Sequence, residues 1–321
     1  MSFAQSFADG VLSPADALLA LAALGVGAAY VRGARRVWAT DAAYWPLRQK
    51  RGRLPLWRVA LFLTGLFTIA VALSSLAHAA AVQMLALHTM QHHLLVTLGT
   101  PLCVLGEPAL AFGALLAPRE SARLASLGRR VAATRAFRWT LGRPLAVWLA
   151  HVLLVWSGYL PGVHTALYYQ PLLHALHHVL LIASAVAFWW LLIGPAVSWL
   201  PSARGPRSVA TLAAWVQHNP LSALIAFSSL AAFPEYAARP PLWDLGRVDA
   251  QRVAGAVQYL PAEVVYLFAL SLLVFGWLMD LDRQATQPPA PQRVGTPGLP
   301  DRMRAGLLTR RERMLREEWR E

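Results

Sequence analysis

Lysine is almost missing from this chain: Lys50 is the only one, and the net charge of +13 rests on arginine. Charge as a whole is scarce. Only 14% of residues are charged, against about 25% in a soluble domain, which excludes an ordinary water-soluble fold. The arginines fall between apolar runs, so they read as topology signals, and no nucleic-acid partner is expected. Cysteine is limited to Cys103, which excludes a disulfide framework and any CxxC metal site. Within its apolar stretch Cys103 reads as a small core residue. The opening "MSFAQSFADGVLSPAD" has no basic n-region, so no cleavable signal peptide is expected. Nucleophile elbow, HExxH and paired-aspartate motifs are missing too, so no enzymatic role is expected, and Asp280 and Asp282 read as boundary charges.

What the chain does have is apolar sequence, 57% of the total, with a mean hydropathy of +0.44. A spanning helix needs about 20 mostly apolar residues. Seven stretches meet that measure: 14–33, 56–80, 83–105, 144–161, 172–194, 209–233 and 257–279. The expected fold is therefore all-α, a polytopic membrane bundle of about seven helices over residues 1–283 in contact with the lipid bilayer. The stretch 108–118 is too short to span and suits the interface. Basic residues cluster between Arg32 and Arg53 and between Arg119 and Arg143, with Arg204 and Arg207 after the fifth span. The connection 162–171 has none, and in 234–256 three arginines are balanced by Glu235, Asp244 and Asp249. Basic loops stay in the cytoplasm, so the N-terminus is expected outside and the C-terminus inside. Residues 284–321 read as a Pro-rich linker followed by a charged tail, in which Leu307, Leu308 and Met314 would suit a short helix on the inner membrane surface.

Against this apolar background the ten histidines stand out. In "LHTMQHHLL", His88 and His92 are four apart and share one helix face, with Met90 between them and His93 turned aside. In "PLLHALHHVLL", His174 and His178 repeat the spacing, with His177 flanking. Both pairs fall at the outer side of their spans. His78 ends the second span, His164 lies in an outer loop, and His151 and His218 sit deeper. Ionisable groups inside lipid are costly and face the bundle interior or a cavity. His93, His151 and His218 read as interhelical hydrogen-bonding groups. Two matched pairs point instead to a metal, a haem or proton handling. Imidazole with thioether suits copper; zinc accepts several imidazoles, with Glu235 available; haem b takes two facing imidazoles, such as His88 with His174 or His92 with His178. The candidate ligands are His88, His92, His174 and His178, then Met90 and His177. Pro220, two residues after His218, is expected to kink the sixth span.

"HTMQHHLL" followed by "TPLCVLGEP", then "LPGVHTALYYQPLLHALHHVLL" and "AQRVAGAVQYLPAEVVYL", resembles the CtaG family of membrane-integral cytochrome c oxidase assembly factors, over roughly residues 40–280. The chain departs from the family's pattern at Gly158–Tyr159, where W-H precedes x-P in the family. It departs at His177, which stands in for the glutamate of H-x-x-E-H, and around Ala250–Gln251 and Gln258–Tyr259. The resemblance implies a bacterial inner-membrane protein that helps mature the oxidase, plausibly at its copper centre. Its partners would be cytochrome c oxidase subunits or other copper-delivery proteins. A copper-resistance membrane protein of the CopD kind, moving copper through the bundle, and a haem-binding electron carrier are the alternatives.

Overall fold

A computed structural model describes residues 13–39, 54–139, 143–194, 204–228, 231–238 and 243–286. The expected linker and charged tail after residue 286, and most of the first basic loop, lie outside the described residues. The chain divides into two units, Met1–Trp277 and Leu278–Glu321, and the packing and the site described below lie in the first.

Among the described residues the secondary structure is helical, without strands. The helices are α1 (Pro14–Ala39), α2 (Leu56–Leu73), α3 (Ser75–Ala81) and α4 (Leu85–His93); a π-helical stretch (Leu94–Gly99) leads into α5 (Thr100–Leu105). Then come α6 (Pro108–Gly113), α7 (Pro118–Ala133), α8 (Arg135–Trp139), α9 (Pro144–Ser157), α10 (Pro161–Tyr169), α11 (Pro171–Ile193) and α12 (Arg204–Phe227). A 3-10 turn (Pro234–Ala238) precedes α13 (Arg247–Thr286).

Four helices are long and apolar enough to cross a membrane: α1, α2, α11 and α13. A fifth candidate is the pair Leu145–Ser157 and Pro161–Tyr169, bent by 72°. The remaining two expected spans are helical but irregular. The stretch 83–105 is divided among α4, the π turn and α5, and α12 carries Arg204, Arg207, Gln217, His218 and Asn219.

Two departures from the expected boundaries have clear local causes. The second span stops at Leu73, because Ser74 turns extended (φ −67°, ψ 155°) and its hydroxyl accepts from the Ala77 N–H at 3.2 Å. His78 therefore sits on a separate short helix. The connection 162–171 is not a loop. Pro161 holds Leu160 extended and opens α10 as its first residue; Pro171 then opens α11 in the same way. The carbonyl of Ala72, left open where α2 ends, accepts from Gln91 Nε2 at 2.7 Å.

The packing is inverted relative to a soluble protein. Leucine and phenylalanine are spread over the exterior, with Leu172 at 88% and Phe227 at 86% exposure, while eight of the ten histidines are buried. One core gathers around Trp189, which stacks on Tyr266 (centroids 5.1 Å apart) and donates its indole N–H to the Val96 carbonyl at 2.8 Å. That carbonyl and Leu95 O, bonded by the Thr100 hydroxyl at 2.7 Å, belong to the π turn, whose loosened ladder exposes acceptors. Helix α2 and the π turn approach closely through glycine: a Cβ on Gly65 would lie 2.6 Å from the Gly99 carbonyl oxygen.

A second core of Tyr30, Phe62 and Phe112 is tied to a polar lock. Glu107 has a left-handed backbone (φ 52°). Its carboxylate accepts from Arg58 Nη1 at 2.6 Å, the same guanidinium donates to Leu105 O at 3.1 Å, and Tyr30 donates to Gly106 O at 2.6 Å. Removing Glu107 leaves the Arg58 guanidinium, 26% exposed and still bonded to Leu105 O, without its carboxylate, a cost at the low end of about 1–3 kcal/mol. Glu107→Ala should therefore lower the unfolding temperature in detergent measurably. Cys103→Ala, which removes a small half-buried thiol, should lower it less.

Candidate metal centre

The helical repeat that aligns His88 with His92 brings their Nε2 atoms to 3.1 Å. Helix α11 contributes its own pair, the His174 and His178 rings with centroids 4.3 Å apart. The two helices face each other: His88 lies 5.2 Å from His174, and His92 lies 5.2 Å from His178 and 5.7 Å from His177, centroid to centroid. Ligand atoms of His88, His92 and His174 all fall within 4.8 Å of one another. Two imidazole nitrogens on a tetrahedral ion at a bond length of about 2.0–2.1 Å would lie about 3.3 Å apart, so the rings need only small adjustments to share a cation.

Two further histidines join the cluster that spacing alone did not place there. His164 on α10 is buried, 5.0 Å from the His88 ring. Its Nδ1 bonds the Gly158 carbonyl at 2.8 Å. His78 on α3 is exposed and lies 5.5 Å from His174, at the rim. The available signal for His164 was Pro161, which starts a helix three residues before it.

The 3-10 turn supplies the polar surroundings. Tyr236 Oη lies 2.9 Å from His88 Nδ1 and 3.0 Å from His164 Nε2. Burial, reinforced by Glu235, holds the Tyr236 phenol protonated well above its usual range. Glu235 is itself buried. Its Oε2 accepts from Thr165 Oγ1 at 3.2 Å and its Oε1 approaches His164 Nε2 at 3.3 Å.

Several imidazole nitrogens at the cluster are buried with no hydrogen-bond partner among the described residues: Nε2 of His174 and His178, and Nδ1 of His177. His177 Nε2 lies 3.3 Å from the Leu154 carbonyl, which can only accept, so Nε2 carries the proton and Nδ1 offers a lone pair. Gly158 makes room for that ring, since a Cβ there would stand 3.0 Å from His177 Cε1.

Met90 is not brought to this centre. It is 38% exposed, because two residues along a helix is a turn of about 200° away from His88. Met84 is buried in a separate apolar cluster with Leu221 and Ile225. The donor set is thus imidazole, with a nearby carboxylate. Asp249 pairs with Arg252 at 2.7 Å, and Glu263 accepts from Trp215 Nε1 at 2.6 Å.

Of the histidines expected to bond between helices, His151 and His218 do so, whereas His93 bonds within its own helical stretch. His93 Nδ1 meets Thr97 Oγ1, His151 Nδ1 meets Ser184 Oγ, and His218 Nδ1 meets Gln258 Nε2, each at 3.0 Å. Gln258 Oε1 also accepts from Tyr159 at 2.9 Å.

A comparison with protein-family profiles matches residues 28–280 to the cytochrome c oxidase caa3 assembly factor family, Caa3_CtaG. The chain belongs to that family. No curated protein and no solved structure is significantly similar to the chain. In this Caa3_CtaG member the matched residues take in α2 through the apolar part of α13, and with them every histidine of the cluster.

The Gln258 bridge generates a prediction of its own. Gln258→Leu strands the buried Tyr159 hydroxyl and His218 Nδ1, each at about 1–3 kcal/mol. It should lower the unfolding temperature clearly, whereas Met90→Leu, at an exposed position, should leave it within error.

Proposed function

We propose that this chain is a membrane-integral assembly factor that binds copper through His88, His92 and His174, with His177 and His178 beside them, and assists maturation of the copper centre of a caa3-type oxidase. The observation that carries the reading is the convergence of three imidazole ligand atoms within 4.8 Å in a chain of this family. We further read the chain as seven spans, with the irregular helices of 83–105 and α12 counted, the N-terminus outside, the cluster near the extracytoplasmic face and the charged tail in the cytoplasm of a bacterial inner membrane. The arginine distribution supports that orientation.

The donor chemistry fits the cargo. Neutral imidazole suits copper, and His174 and His178 hold unpartnered buried nitrogens that a cation would satisfy. His78 at the rim gives an arriving ion a first ligand, and neighbouring rings let it exchange one imidazole for the next. The role is binding and handover, without a catalytic step, and the partners are oxidase subunits or other copper-delivery proteins. Haem fits poorly. The His88 and His92 nitrogens stand 3.1 Å apart, and neighbouring rings at 4.3–5.7 Å leave no slot for a planar macrocycle.

One observation favours transport as a second reading: among the described residues the deeper His93, His151 and His218 each keep an Nε2 without a hydrogen-bond partner, and could serve as stations along the bundle. Copper uptake into sealed vesicles carrying the protein discriminates it from handover at the outer face.

The test is elemental analysis of purified protein after equilibration with copper under reducing conditions. Wild type should retain copper. His88→Ala combined with His174→Ala should abolish retention while the helical content stays unchanged, and Met90→Leu should retain copper like wild type. Unchanged stoichiometry in the double variant sinks the ligand assignment.

A further inference from the structure

We propose that His164 and Tyr236 are positioning residues that hold His88 as its Nδ1–H tautomer, so that the Nε2 lone pair faces the cation. This rests on the copper-binding reading and assigns roles to two residues outside the ligand set.

The inference follows from counting protons along a chain of three hydrogen bonds. The chain is anchored on the Gly158 carbonyl, which can only accept, so the His164 nitrogen 2.8 Å away, Nδ1, carries the proton. A neutral imidazole has a single N–H, so His164 Nε2 is a bare lone pair. The Tyr236 oxygen 3.0 Å from it must then donate its one proton there. With that proton committed, the same oxygen can only accept from His88 Nδ1 at 2.9 Å. His88 therefore keeps its proton on Nδ1. Its Nε2 then carries the lone pair: it accepts from His92 Nε2, 3.1 Å away, and belongs to the three-histidine group that a cation would share.

The reversed chain requires His164 to donate from both nitrogens as an imidazolium. The carboxylate placed to balance that charge, Glu235 Oε1, makes no hydrogen bond to it although it lies 3.3 Å away. Reversal would also put a proton on His88 Nε2, at the position the cation occupies. The chain is rigid because its members are fixed independently: His164 by the backbone bend at Gly158, and Tyr236 by edge contact with Tyr168 at 5.3 Å. Partners of this kind, which hold a metal-binding imidazole in the correct tautomer, typically contribute 10–100-fold in affinity.

The experiment uses full-length protein labelled with ¹⁵N-histidine, with His88 assigned by the signal lost in His88→Gln. In metal-free wild type, the nitrogen shifts should report a protonated Nδ1 on His88. Tyr236→Phe should lose that preference and bind cuprous ion about 10–100-fold more weakly, measured by competition with a chromophoric cuprous chelator. Met90→Leu, at an exposed position turned away from the cluster, should leave both readouts unchanged. A protonated Nε2 on His88 in wild type overturns the proposal, as does a Tyr236→Phe protein with unchanged tautomer and affinity. If wild type binds no copper, the functional reading falls, and the nitrogen shifts still decide the tautomer.

Discussion

A polar ring surrounded by lipid-facing helices must find its hydrogen bonds inside the protein, and this requirement organises the molecule. Four histidines meet it in the same way, with one nitrogen anchored to a neighbouring group and the other left over: His177 is held by Leu154 O, His93 by Thr97, His151 by Ser184 and His218 by Gln258. His88 and His164 are bonded through both nitrogens, to Tyr236 and His92 and to Gly158 O and Tyr236. Anchoring fixes ring orientation and tautomer, which a ligand site needs. The nitrogens left over are costly in an apolar interior, so a bundle that keeps several of them together is poised for a guest that satisfies them.

The irregularities of the helices serve the same requirement. Non-helical backbone at membrane depth is tolerated where it is buried in protein or lines a cavity. The break at Ser74 delivers His78 to the rim, and its open carbonyl is taken up by Gln91, from the helix that carries His88 and His92. The bend before Pro161 turns the Gly158 carbonyl toward His164. The π turn directly after His93 hands its spare acceptors to Thr100 and Trp189. By contrast, α1 and α2, which carry no histidine, run without breaks and present leucine outward.

Much of this was legible in the sequence. Apolar runs give helices, and i,i+4 spacing puts His88 with His92 and His174 with His178, because helical geometry is local. Which face meets which neighbour is not local, and there the reading missed His164, treated as a loop residue although proline opens a helix just before it. Tyr236 was missed for the same reason: it bonds across 148 positions of sequence to His88, and no periodicity encodes that. Met90 was included for its closeness in sequence, although the same helical angle that pairs His88 with His92 turns position 90 away. The expected spans at 83–105 and 209–233 were set by summed hydropathy, which does not register a π turn or the polar residues crowded onto α12.

Two departures from the family's motif pattern become one structural event. Where the resemblance implies tryptophan and histidine this chain has Gly158 and Tyr159, and where it implies glutamate it has His177. The structure places these positions against each other. Any side chain at 158 would meet the His177 ring, whose Cε1 stands 3.0 Å from the place of a Cβ. A side chain at 158 would thus require the His177 ring to shift by a few tenths of an ångström. Tyr159 donates its hydroxyl to Gln258 Oε1 at 2.9 Å. His177 adds an imidazole on α11 whose Nδ1 is buried beside the His92 ring. Both departures therefore bear on the packing of one bend, and one of them brings a further nitrogen donor to the edge of the cluster.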